Sequence, residues 1–250
     1  MKILALLAFS LISNVFAADY MPIAGGTLRT ALPTDGETVQ VAAYRLRSKP
    51  VSNQDYLIFL INNPQWQRGQ HAALFANSDY LANWQSATDY SPNQHHAPVT
   101  QISWFAANAY CASENAQLPT WSQWEFAAAA DALRKDARSD PLWRAKILRW
   151  YAEPASTPLA QSGQQVANIY GVYDMHQSIW EWVEDFNGLF VTSDSRGQGD
   201  QTLLETCGAA SLSLGDKENY AILMRIALLA ALNGTDTVNT LGFRCAKPMQ

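Results

Sequence analysis

Charge is scarce in this chain of 250 residues: Asp, Glu, Lys and Arg together make up 16%. The net charge is −5, and basic residues form no run longer than two or three. That excludes the electropositive surface a nucleic-acid partner requires. Cysteine is scarce too, with only Cys111, Cys207 and Cys245. None belongs to a Cys-x-x-Cys or Cys-x-x-His pair, which excludes a zinc ribbon or a thioredoxin-type redox motif. Apolar runs of the ~20 residues that span a bilayer as a helix are absent. The nearest is Ile3 to Phe16, preceded by Lys2 and ending in Val15-Phe16-Ala17. This has the form of a secretory signal peptide, so residues 1–17 are expected to be removed and the remainder to lie in the periplasm. In such an oxidising compartment two of the three cysteines are expected to pair. Spacing alone leaves open which two.

What the chain has in abundance is aromatic side chains, with nine Trp and ten Tyr. Large aromatics suit a loop-rich interior whose gaps are irregular. Residues 19–47 read as β, and Thr38 to Leu46 alternates with Val39, Val41 and Ala43 on one face. Ser52 is a good helix N-cap with Asp55 three residues on, and Asn62-Asn63-Pro64 is a stop. Residues 64–97 read as polar and aromatic loop. Ser103 is expected to cap a helix from Trp104 to about Asn115, and Thr120 to cap another carrying Trp124 and Phe126. Residues 131–151 read as partly helical, 153–168 as loop, and 187–219 as irregular. Tyr220 to Leu232 reads as an apolar helix, and Leu241 to Ala246 as a terminal strand. Neither a repeat nor a linker divides the chain, so residues 18–250 are expected to form one α+β domain.

Five stretches in order resemble one family. They are Ala24-Gly25-Gly26-Thr27, Pro50 to Tyr56, Pro98 to Trp104 continuing through Ala109-Tyr110-Cys111 to Leu118-Pro119-Thr120 and Trp124-Glu125, then Tyr173-Asp174-Met175 leading to Trp180-Glu181-Trp182, and Leu241-Gly242-Phe243-Arg244-Cys245-Ala246. On these the chain resembles the formylglycine-generating enzymes, or sulfatase-modifying factors, over about residues 21–247. The resemblance implies the fold that family shares with C-type lectins: α+β with little regular secondary structure. It also implies a disulfide between Cys111 and Cys245. A loop of that length stabilises by up to ~4–5 kcal/mol in the chain-entropy description.

The resemblance also implies what is missing. The family's catalysis uses two cysteines whose thiolates hold Cu(I), a soft ion that such ligands select. Cys207 matches the first. The second belongs beside a Tyr and before an Arg, and here that stretch is Tyr220-Ala221 through Met224-Arg225. Cys207 and Arg225 thus remain as the candidate catalytic pair, with alanine at the second sulfur. The family's calcium segment is altered in the same way. Gln177-Ser178 replaces Gly-Asn, leaving Glu181 as the candidate calcium ligand. His95 and His96 are adjacent on an extended segment and face opposite ways, which disfavours joint chelation.

A subgroup of the family matches further, through Glu184-Asp185-Phe186-Asn187, Asp194-Ser195-Arg196, Cys207-Gly208-Ala209 and Asp216 to Arg225. The subgroup accompanies bacterial copper nitrite reductases as an exported accessory protein. Three readings follow. One is an accessory or maturation factor for a periplasmic metalloenzyme, with Asp216, Tyr220 and Arg225 at the partner surface. Another is a metal-dependent oxidoreductase that uses Cys207 in altered chemistry. The third is a calcium-dependent, lectin-like binding module.

Overall fold

The structure is a computed structural model and describes residues 18–32, 38–153, 156–176, 179–189 and 220–249. Among these the chain opens on β1 (Tyr20–Ile23), β2 (Gly26–Leu28), β3 (Val39–Val41) and β4 (Tyr44–Arg47). β2 and β3 form a two-stranded antiparallel ribbon, while β4 pairs antiparallel with both β1 and the last strand, β7 (Ala246–Pro248). Gly25, with φ +72, makes the turn between β1 and β2. A Cβ there would overlap the Val41 carbonyl oxygen, so only glycine fits.

The single alternating strand expected over Thr38 to Leu46 is divided. Val41 pairs with Gly26, but Tyr44 pairs with Ile23, so the chain changes sheets between them. Ala42 and Ala43 both face solvent, which moves the inward face from Val41 to Tyr44 and Leu46. Two consecutive outward residues shift a period-2 pattern by one position. Ala43 is therefore outside, not on the face of Val39 and Val41.

The helix signals act as read. α1 (Asn53–Asn62) begins in a full capping box. Ser52 accepts from the Asp55 backbone N–H, and the Asp55 carboxylate accepts from the Ser52 N–H. Tyr56, Phe59 and Leu60 form its buried stripe. α2 (Trp104–Ser113) is capped by Ser103, and α3 (Trp121–Ala128) by a second capping box formed by Thr120 and Gln123. α4 (Pro141–Ala152) starts with Asp140 as N-cap and proline at its first position, and of its twelve residues only Ile147 is buried. α5 spans Tyr220–Ala230. The long connection between α1 and α2 contains two short 3₁₀ turns, and Arg68 pins it by donating to the carbonyls of Leu81 and Trp84.

The terminal strand also departs from expectation. β6 (Leu241–Gly242) runs parallel to β5 (Trp180–Glu181), and β7 starts only at Ala246. Between them Phe243, Arg244 and Cys245 are all 0% exposed. A strand at the edge of one sheet cannot bury three consecutive side chains, because alternate residues face opposite ways. Here the backbone crosses between sheets and its carbonyls accept from elsewhere: Val51 N–H donates to the Phe243 carbonyl and Arg47 N–H to that of Cys245. At this crossing Cys245 is bonded to Cys111 of α2, with Cα atoms 5.5 Å apart. One apolar cluster runs from Ile23 to Ala246 and includes the fully buried Trp121, Trp124 and Trp182. The outcome is the irregular α+β architecture the sequence implies.

Candidate functional site

β5 and the crossing after β6 place Glu181 against Arg244. Arg244 Nε donates to Oε2 at 2.8 Å and Nη2 to Oε1 at 2.8 Å, a two-pronged pair. Trp124 Nε1 of α3 adds a third donor, 2.9 Å from Oε2. The remaining guanidinium donors reach backbone: Nη1 to the carbonyls of Arg47 and Ser48, Nη2 also to that of Tyr173 at 2.9 Å. Both side chains are 0% exposed. The charges are fully removed from water, so removing either would leave the other uncompensated.

This arrangement does not fit a calcium site. Both oxygens of Glu181 already face N–H donors, and among the described residues no three His, Cys, Asp or Glu side chains converge where a metal could sit. The structure makes Glu181 a carboxylate of the interior. Gln177 and Ser178 lie outside the described residues.

Glu181 also leads to α5. Trp124, which donates to it, presents its ring to Arg225, whose guanidinium carbon is 4.2 Å from the ring centroid. Trp180 supplies a second face at 5.1 Å. Arg225 Nε donates to the Tyr151 hydroxyl at 3.3 Å, and Nη2 to the Ile179 carbonyl at 3.3 Å, while Nη1 has no partner among the described residues. Arg225 is only 1% exposed. The sequence places it at a partner surface, but the structure puts it in the interior, stabilised by the π-faces of two tryptophans. Helical spacing sets Ala221 one turn before it on the same face, and Ala221 too is buried at 6% exposure. The position that matches the second cysteine is thus an interior methyl group. It offers no electron pair, so the linear dithiolate that holds Cu(I) does not fit. Tyr220 opens α5. Cys207 and Asp216 lie outside the described residues.

The histidines do not come together. The His71 ring packs on Tyr80, His95 Nδ1 bonds the Tyr90 hydroxyl at 3.0 Å, and His176 Nε2 lies 2.7 Å from the Ala128 carbonyl.

Several buried polar groups here escape sequence reading. Arg47 is 6% exposed and pairs with Asp55 at 2.6 Å and Glu114 at 2.9 Å, while also donating to Tyr110. Glu125 accepts from Thr30, the Ala31 N–H and Trp121 Nε1. Burial raises its pKa, and those three donors together with Arg138 oppose the rise. Asp185, though exposed, also escapes it and accepts from the first backbone N–H of α3 at 2.7 Å. The only sequence signal for these was a charged residue among apolar neighbours, as in Trp124-Glu125-Phe126 or Trp180-Glu181-Trp182.

Comparison with known proteins agrees with this architecture. The family model for the sulfatase-modifying factor enzyme 1-like domain matches residues 14–249. The formylglycine-generating enzyme of Streptomyces coelicolor is 28% identical over 192 residues, which is 66% of this chain and 58% of that protein. Inactive C-alpha-formylglycine-generating enzyme 2 of Mus musculus is 29% identical over 159 residues, 60% of this chain and 48% of that protein. The chain therefore spans about half the length of these relatives. The solved structure of PvdO from Pseudomonas aeruginosa shares the fold, with a TM-score of 0.51 at 15% identity over 92% of this chain and 94% of the other. With the match over nearly the whole sequence, this chain belongs to the sulfatase-modifying factor enzyme 1-like domain family.

Proposed function

We propose that this chain is an exported relative of the formylglycine-generating enzymes that lacks their second catalytic cysteine and serves as an accessory or maturation factor for a periplasmic copper enzyme of the nitrite reductase type. The observation that carries the reading is the pair of side chains one turn apart on α5. Ala221 is a buried methyl at the position of the second sulfur, and Arg225 is enclosed by Trp124 and Trp180. Paired-thiolate copper chemistry has no second ligand there. A mouse relative named as inactive supports the idea that this fold is used without that chemistry. The subgroup motifs at residues 184–187, 194–196, 207–209 and 216–225 support the copper-enzyme association. On this reading the client contacts Cys207 and Asp216, and Arg225 acts from inside by holding α5 in place.

The test has two parts. Purified mature protein supplied with Cu(I) and oxygen should leave a cysteine-containing sulfatase peptide unconverted, as read by mass; conversion to formylglycine overturns the proposal. Deleting the gene in its host should lower the copper content of the periplasmic reductase. Wild-type protein should restore it, and Cys207→Ala with Asp216→Ala should not. Copper content unchanged by deletion overturns the accessory role. Metal bound stoichiometrically by wild type and lost in Cys207→Ala would favour the oxidoreductase reading instead.

A further inference from the structure

α4 is held to the core by little of its surface: of its twelve residues only Ile147 is buried. Leu142, Ala145, Lys146 and Arg149 follow one another at spacings of three and four, so they share the face turned away from Ile147, and all four are exposed. That face mixes apolar and cationic side chains. Between its caps, Asp140 and Glu153, α4 carries Arg144, Lys146 and Arg149 and no acidic residue, in a chain whose net charge is −5.

Exposed apolar side chains gather beside the same face. Among the described residues the most exposed large aliphatic side chains are Leu133, Leu142 and Val166, at 84%, 81% and 84%, ahead of Leu74 at 73%. Those three line one cleft of about 380 Å³ between α4 and residues 165–176. A side chain that lines a cleft and still keeps most of its surface in water stands at the mouth, with its tip outward. Three of them at one mouth mark an interaction site more than scattered exposure does. Trp143 and Trp150 line the cleft half-buried, and Trp is a side chain that settles at a membrane–water boundary.

Charge selects the partner. The acidic residues before α4 are already engaged, Asp131 and Asp140 by Arg134 and Asp136 by Arg138. Asp174, half-buried in the cleft, is held by the Gly163 N–H at 2.6 Å. Lys135, Lys146 and Arg149 are exposed and belong to no ion pair among the described residues. Gathered by the fold and not by a run in the sequence, they make a small positive patch, far short of the extended surface a nucleic acid requires. Nor does a directional bond fix them: Lys146 lies over the Trp150 ring at 4.8 Å. Loosely held cations suit the diffuse negative charge of lipid headgroups, whereas carboxylates of a protein partner are read by fixed, two-pronged contacts. The apolar tips project outward, which suits a soft medium that closes around them.

We propose that α4 and the mouth of this cleft form a peripheral membrane-binding face. Leu133, Leu142 and Val166 enter the acyl boundary of an anionic phospholipid bilayer, while Lys135, Lys146 and Arg149 meet its headgroups. α4 then lies in the plane of the interface, as helices of mixed cationic and apolar surface do. At twelve residues it is too short to span the bilayer.

Flotation of the mature protein with phospholipid vesicles tests this. Vesicles of phosphatidylcholine and phosphatidylglycerol in a two-to-one ratio should carry the protein upward, and phosphatidylcholine alone should bind it much more weakly. Each cation at an anionic surface is worth about fivefold in affinity, so Lys146→Gln with Arg149→Gln should weaken binding about 25-fold. Salt at about 1 M, which shortens screening to ~3 Å, should also release the protein. Leu133→Ser with Leu142→Ser should weaken binding at least about tenfold. All four side chains are exposed, so the thermal midpoint of both double variants should stay at the wild-type value. Should either not fold, hydrogen exchange of the wild type decides: the mixed vesicles should slow the amides of α4 and leave those of α1 unchanged. No flotation with mixed vesicles, equal affinity for the two compositions, affinity unchanged in either folded double variant, or slowing only outside α4 overturns the proposal. Capture on immobilised polyglutamate without flotation assigns the face to an acidic protein and overturns the membrane reading as well.

Discussion

Arg244 and Glu181 are separated by 63 positions, yet their charges face each other with both side chains 0% exposed. Breaking such a pair is expensive because the surviving charge stays buried. Arg244→Leu is therefore expected to destabilise the protein by about 3–5 kcal/mol, read as a shift of the urea midpoint at unchanged slope. Replacing both residues with apolar ones of similar volume should recover a large part of that loss. A single substitution with no measurable effect would contradict the assigned geometry. His176 gives a pH signature at the same scale. Burial moves its pKa down from 6.5 to about 4, so between those values the unfolded chain binds a proton that the folded one does not. Stability from this group is intact above pH 6.5 and declines as pH falls towards 4, by about 3 kcal/mol in all. The stability advantage of wild type over His176→Gln should shrink by that order between pH 7 and pH 4. An advantage independent of pH would show that the folded chain protonates this imidazole as readily as the unfolded one.

Helix starts are where local sequence and structure agree most closely. Ser52 with Asp55, and Thr120 with Gln123, satisfy orphan N–H groups through residues only three positions apart. Thr120→Ala should cost about 1 kcal/mol. Asp55→Ala should cost more, because Asp55 also pairs with the buried Arg47 and so connects the α1 cap to β4. The ordering of the two variants by thermal denaturation checks that difference. Strand limits were less legible. Where the expected strands at Thr38 to Leu46 and Leu241 to Ala246 divide, the chain changes partner, and partner choice depends on distant segments. β4 takes both β1 and β7 as neighbours, although β7 is about 200 residues further along the chain.

For the molecule as a whole, the disulfide closes a long covalent loop. Cys111 and Cys245 are 134 positions apart, and their bond ties α2 to the crossing that also buries Phe243 and Arg244. Cys111→Ser is expected to destabilise by about 2–5 kcal/mol, measured against the oxidised wild type. Under denaturing conditions the mature wild type should show one titratable thiol before reduction and three after, in keeping with three cysteines and one bond. Three thiols before reduction would contradict the bond. The same long-range closure accounts for the irregular architecture. Trp121, Trp124, Trp182 and Tyr110 fill the space between short elements that could not cover each other with regular side chains alone.

The sequence by itself determined the capped helices and the scarcity of charge. Each of these rests on a residue's own chemistry or on neighbours within one helical turn. Resemblance added the family and the cysteine pairing, which spacing left open. Only the tertiary structure decided that Glu181 belongs to Arg244, that Arg225 is enclosed by Trp124 and Trp180, and that His176 keeps an unsatisfied nitrogen beside a cleft. The reason is physical: the worth of a buried charge or lone pair is set by which distant groups replace its water, and that is known only once the chain has folded around it.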